Sequence, residues 1–285
     1  MESIDVDQLF NGVAQSLNRD LSTELKGDCV FVSSAIVPPL DDVLRVSIES
    51  IQDPKNSQDH LIVMLETNGG YIETVERIVS VMRKHYKEVS FIVPSHAFSA
   101  GTVLVLSGDH IYMDYYSVLG PIDPQFADED GRSLLPGAGY LAKFEELTKI
   151  INADAKNEKK AELAYLVKKF DPAKLFHIEQ AIEHGQSLIE TWLPKHKFKN
   201  WKQTKTNGKR VTPKMRKDRA KKIAEILGNA EKWHSHGRGI TMKELSGSNA
   251  NLTNVIRNYH GLCVDYAAKN GLRNFIHTSQ RLRRI

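Results

Sequence analysis

A chain of 285 residues, 41% hydrophobic and 26% charged, has the size and composition to bury a large core, which excludes disorder as the default. Cys29 and Cys263 lie far apart with no CxxC pair, and no run approaches the roughly 18 apolar residues of a membrane span, so a disulfide framework, a zinc ribbon and a transmembrane helix are not expected. The net charge of +4 is uneven: Lys195 to Arg238 holds fifteen Lys and Arg against Asp218, Glu225 and Glu231, a local +12 that leaves −8 elsewhere. A solvated face is the ordinary origin of such a run, and a nucleic-acid or acidic-partner surface is the alternative. The first residues lack a basic stretch followed by an apolar run, so the expected location is cytoplasmic.

In chain order, an amphipathic opening helix precedes the strand-like run Cys29-Val30-Phe31-Val32, and Pro38-Pro39 terminates the segment after that run. Asp41 or Asp42 is placed to cap a helix toward Ile51. Leu61 to Leu65 is a short apolar run, expected as a buried strand, and it leads into Asn68-Gly69-Gly70. Val75, Ile78, Val79 and Met82 then recur at helical spacing. Val89 to Val93 gives a third strand, a turn from Pro94 to Phe98 opens a short small-residue helix at Ser99, and Ile111 to Met113 is strand-like. Repeated strand-turn-helix units predict a mainly parallel α/β core covered by helices.

Beyond Gly120-Pro121-Ile122-Asp123-Pro124 the chain turns helical, with Leu141, Phe144, Leu147, Ile150 and Ile151 on one stripe. Asp171-Pro172 and Thr212-Pro213 each pair a cap with a first-turn proline, and Gly228 ends the later helix. The basic stretch between Pro194 and Thr212 reads as a loop. The expected division is a core over 1–194 and a basic, mostly helical extension over 195–285.

Two sharp turns after adjacent strands carry the chemistry. A serine nucleophile needs an exposed hydroxyl, a proton acceptor and two N–H donors aimed at a developing oxyanion. At a strand-to-helix turn Ser99 would expose its Oγ, and the helix start would leave the Ala100 N–H unpaired. Gly70 can supply the second donor, because glycine lets backbone approach a substrate carbonyl. A lone serine there would more simply be a helix cap.

The motifs Glu66-Thr67-Asn68-Gly69-Gly70, His96-Ala97-Phe98-Ser99-Ala100-Gly101-Thr102 and Leu119-Gly120-Pro121-Ile122-Asp123-Pro124-Gln125 resemble the serine dehydrogenase proteinase family of the Clp/crotonase superfamily. The 29-residue interval from Gly70 to Ser99 is similar to that between oxyanion glycine and nucleophile in Clp peptidases, and Trp233-His234-Ser235-His236-Gly237-Arg238 also looks like the family's. The resemblance implies a spiral of strand-turn-helix units, subunits assembled into a homo-oligomer, and hydrolysis of a protein or peptide substrate through an acyl-enzyme, with no cofactor or metal.

Where Clp peptidases carry their histidine, this chain has Gly120 to Gln125, so a lysine base of the kind found in signal-peptide and stomatin-cleaving peptidases is the expectation. Such a lysine must be neutral, and burial can make it so. At 100° per residue from Leu141 the apolar stripe occupies about 180° to 360°, Lys143 falls near 200° and Lys149 near 80°. Lys143, 44 residues after Ser99, is therefore the candidate base, and His236 or His234 the alternative. Two other functions fit the same turns: a nonhydrolytic binding or regulatory protein using the basic region, with nucleic acid as one partner, and a crotonase-like acyl-transfer or thioester enzyme.

Overall fold

The computed structural model describes residues 6–52, 58–127, 134–153, 160–204, 206–233, 237–241, 254–271, 274–278 and 282–284. The first part runs α1 (Val6–Leu25), β1 (Asp28–Ser33), α2 (Leu40–Ile51), β2 (His60–Glu66), α3 (Ile72–His85), β3 (Glu88–Ile92), β4 (His96–Ala97), α4 (Ala100–Leu106), β5 (His110–Tyr112) and β6 (Val118–Leu119). A hairpin of β7 (Gln125–Ala127) and β8 (Leu134–Pro136) leads to helices α5 (Gly137–Ala153), α6 (Lys160–Val167) and α7 (Pro172–Lys195). The last part holds α8 (Pro213–Gly228), α9 (Ala230–Trp233), β9 (Ile240–Thr241), α10 (Asn254–Lys269), β10 (Phe275–Thr278) and β11 (Leu282–Arg284).

The α/β class expected from the sequence is the one the chain adopts. Strands β1, β2, β3 and β5 pair in parallel in a six-stranded sheet ordered β11-β10-β1-β2-β3-β5. Their near-continuous apolar runs follow from burial on both faces. Val30, Val32, Leu61, Val63 and Leu65 enter the core under α2, α3 and α4, whereas Phe31, Ile62 and Met64 enter a second core with Phe10 of α1 and Tyr259 of α10. Each side chain of this size, fully buried, contributes about 1.5–3 kcal/mol.

The expected caps at Asp171 and Thr212 are present: Asp171 accepts from the Ala173 N–H and Thr212 from the Met215 N–H. Asp41 and Asp42 do not cap α2, which begins one residue earlier, at Leu40, after Pro39. Instead Asp41, 4% exposed, forms an ion pair with Arg77, whose Nε stands 2.8 Å from Oδ2.

Residues beyond 195 do not stand apart as an extension. β10 pairs antiparallel with β1, β9 pairs with β6, and Ala220, Ala224, Leu227 and Ile276 join the core under α2 to α4. The basic loop after α7 is pinned to that core by Asp109, which receives Arg83 Nη1 at 2.7 Å, Lys199 Nζ at 2.6 Å and the Val89 N–H at 2.9 Å. Burial alone would raise its pKa, but the hydrogen bonds from Lys199 and Arg83 outweigh it and bring the carboxyl down to about 2. Along α8, Lys214, Lys217, Lys221 and Lys222 are exposed and form no ion pair among the described residues. Much of the local positive charge is therefore a solvated face. No helix among the described residues is long and apolar enough to cross a membrane.

Candidate active site

The site forms where β2 and the segment after β3 deliver their turns side by side. Thr67 joins the two: its N–H donates to His96 O at 3.1 Å, and its carbonyl accepts the Phe98 N–H at 3.0 Å. Its hydroxyl accepts the Gly69 N–H at 3.0 Å, curling the chain back at once. Thr102 ties the second turn to the next one. Its Oγ1 lies 2.8 Å from Ala97 O and 2.9 Å from Gly120 O, and accepts the Gly120 N–H.

Both glycines of the first turn have positive φ, +99° at Gly69 and +154° at Gly70. A Cβ on Gly69 would stand 2.8 Å from Phe98 O and 2.9 Å from Ser99 Cβ, and one on Gly70 would collide with the Ile36 carbonyl. Only glycine allows this contact between the turns.

Ser99 sits immediately before α4 with φ 50° and ψ −119°, a conformation that side chains other than glycine rarely adopt. Its hydroxyl makes no capping hydrogen bond. A serine kept only as a cap would do the opposite: it would take extended φ and ψ and bond an N–H of the first turn. The strained turn instead presents a half-buried hydroxyl to a cleft of about 440 Å³.

Gly70 and Ala100 line the same cleft, and neither N–H donates a hydrogen bond to any described residue. Two unpaired amides beside a free hydroxyl are what an oxyanion-stabilising site requires. The far wall is apolar, with Val37, Ile72, Val103, Ile122 and Ala181. No lysine, histidine or carboxylate is among the described residues that line it.

Lys143 is on α5, as expected, but it is not buried. Its side chain is 59% exposed and its Nζ lies 2.9 Å from Glu146 Oε2. Only Gly137 and Leu147 of α5 are buried, so the apolar stripe does not define a deeply packed face and does not draw Lys143 inward. His234 and His236 lie outside the described residues. His96 does not line the cleft; its Nδ1 is 3.0 Å from Ser95 Oγ and its ring packs 5.1 Å from that of Phe98. Asp123 is buried and does not line the cleft either. Among the described residues no group of three or more metal-ligating side chains comes together.

Sequence reasoning missed the positive φ of Ser99, which no glycine announces. It also missed a pair behind the first turn, where His260 Nε2 of α10 lies 2.6 Å from Glu66 Oε2 at the end of β2.

The chain is similar to known proteins over part of its length. Residues 38–161 match the family described as ClpP-like SDH-type serine proteinases. Two uncharacterized proteins of Methanocaldococcus jannaschii are 37% identical over 82 residues and 31% identical over 86 residues, covering 29% and 30% of this chain. The matches span 28% and 29% of those relatives' own length. Among solved structures, a mutant of the membrane-bound stomatin-specific protease 1510-N aligns over 54% of this chain and 81% of its own, at 15% identity and a TM-score of 0.33. The matched stretch 38–161 holds Ser99, Gly70 and Ala100.

Proposed function

We propose that the chain is a serine peptidase in which Ser99 attacks a peptide carbonyl and the N–H groups of Gly70 and Ala100 hold the oxyanion of the tetrahedral intermediate. The observation that carries this reading is the convergence of an uncapped, positive-φ serine and two undonated amides on one cleft. Attack forms a C–O bond at the carbonyl, collapse of the oxyanion expels the amine, and water then hydrolyses the ester on Ser99.

Ser99 must lose a proton as it attacks. Lys143 is our candidate acceptor, yet in a single protomer it lies exposed beside Glu146, away from the Ser99 cleft. It serves only in an assembly that buries it. Exposed Ile150 of α5 and Leu166 of α6 give a second copy apolar surface to cover, which favours the homo-oligomer.

A fluorophosphonate serine probe followed by mass spectrometry of the modified peptide tests the reading. Ser99 is expected to carry the label, Ser99→Ala to lose it, and Lys143→Met to lose nearly all peptide turnover in protein that light scattering shows to be oligomeric. Labelling elsewhere with Ser99 untouched in active protein overturns the nucleophile. Full turnover in Lys143→Met with none in His236→Ala or His234→Ala replaces the lysine with a histidine.

The lack of any acid or base on the described cleft wall favours a second reading. There the two amides polarise a thioester carbonyl, as in crotonase-like acyl transfer. Thioester turnover that survives Ser99→Ala would select it.

A further inference from the structure

The turn that supplies the Gly70 N–H is held from the opposite side of the sheet by a pair remote from the cleft. Side chains alternate along β2, so Leu61, Val63 and Leu65 pack toward α3 and α4 while Ile62 and Met64 pack toward α1 and α10. Glu66, the last residue of the strand, falls on the second face, where His260 Nε2 meets its Oε2 at 2.6 Å. Both side chains are sheltered, 21% exposed for His260 and 19% for Glu66, and the His260 ring packs edge-on against Phe31 at 5.8 Å.

The main chain at Glu66 leads straight into the site. Glu66 O accepts the Ser34 N–H at 3.2 Å, and the next residue, Thr67, bonds to both His96 and Phe98 and closes the Gly69 turn. Burial would raise the Glu66 pKa, but the hydrogen bond and charge of His260, with a smaller contribution from His96, keep it below its usual value. Glu66 is thus a carboxylate in a partly dry place, fixed by one short contact.

The geometry points to His260 as a positioning residue: by holding the Glu66 carboxylate, it fixes the strand end from which the Gly70 N–H is aimed at the Ser99 cleft. It touches neither substrate nor nucleophile. Without it, Glu66 is left charged and half-buried with no partner from α10, and the strand end shifts to hydrate it. A misplaced donor loses oxyanion stabilisation while leaving the substrate-binding walls in place. The inference rests on Ser99 being the nucleophile, so its test includes a measurement that does not.

The experiment compares His260→Ala, His260→Gln and Glu66→Gln with the unaltered protein in three measurements. The first separates the maximal labelling rate of Ser99 by a fluorophosphonate from the affinity for the probe. His260→Ala is expected to slow the maximal rate roughly tenfold with affinity little changed, and His260→Gln, which keeps a side-chain donor of similar reach, to recover most of it. The second is the double-mutant combination of His260→Ala with Glu66→Gln, which is expected to slow labelling no further than His260→Ala alone. The third is the amide resonance of Gly70, expected to move in His260→Ala and to return in His260→Gln.

Loss of thermal stability with an unchanged labelling rate and an unmoved Gly70 resonance overturns the proposal and makes the pair a staple only. If the unaltered protein takes no label, the Ser99 reading fails. The Gly70 resonance still decides whether His260 positions the turn: movement in His260→Ala with recovery in His260→Gln supports it, and no movement overturns it.

Discussion

Replacing Ser99 by glycine is expected to stabilise the fold while removing its chemistry. A non-glycine residue held at φ 50° and ψ −119° costs about 1–3 kcal/mol. Glycine relieves that strain but carries more conformational freedom in the unfolded chain, a penalty of about 0.5–1 kcal/mol. The hydroxyl makes no hydrogen bond among the described residues, so its deletion adds little. The appropriate reference is Ser99→Ala, which keeps the strained Cβ and lacks the same oxygen. Ser99→Gly should exceed it in stability by about 1 kcal/mol, the difference of those two effects. Urea unfolding at pH 7 measures this as a higher midpoint at an unchanged slope. Ser99→Gly no more stable than Ser99→Ala would mean that the positive φ stores no strain, and a strained turn would no longer distinguish Ser99 from an ordinary helix-start serine.

Gly70→Ala should cost about 2 kcal/mol or more and abolish labelling of Ser99, since its Cβ meets the Ile36 carbonyl at a φ that alanine resists; denaturant unfolding and the fluorophosphonate assay check both. Acid should destabilise the protein before most carboxylates titrate. Burial lowers the His277 pKa from its ordinary 6.5 to about 4, so the unfolded state takes up the proton first. That contribution is fully present above about pH 6.5 and is lost progressively as pH falls toward 4, by about 3 kcal/mol in all. His277→Gln should flatten the dependence of the urea midpoint in that window.

The local part of the fold was legible because short-range rules decide it. Leu61 to Leu65 can only be a strand buried on both faces, and the proline caps at Asp171 and Thr212 follow from side-chain geometry within three residues. The turns that hold Gly70 and Ser99 were readable locally, whereas the meaning of their spacing came from the resemblance to Clp peptidases. What the sequence hid depends on partners far along the chain. His260 meets Glu66 across 194 positions, and no local pattern marks either residue. The burial expected for Lys143 is absent for a different reason: a helical wheel gives the direction of a side chain but not whether anything packs there, and Ile150 on the same stripe remains 42% exposed. The cap expected at Asp41 or Asp42 lost to an ion pair with Arg77, which periodicity does not contain.

The antiparallel pairing of β10 with β1 has a consequence for how the chain is made. Val30 is joined to Thr278, so during synthesis the outer edge of β1 waits for a segment about 250 residues further along before its hydrogen-bonding groups find their neighbour. A nascent or truncated chain ending before Phe275 would display an open, apolar strand edge, a template for pairing with other copies. Strands β10 and β11 therefore act as a latch against aggregation, and the slowest step of folding should be the one that closes it.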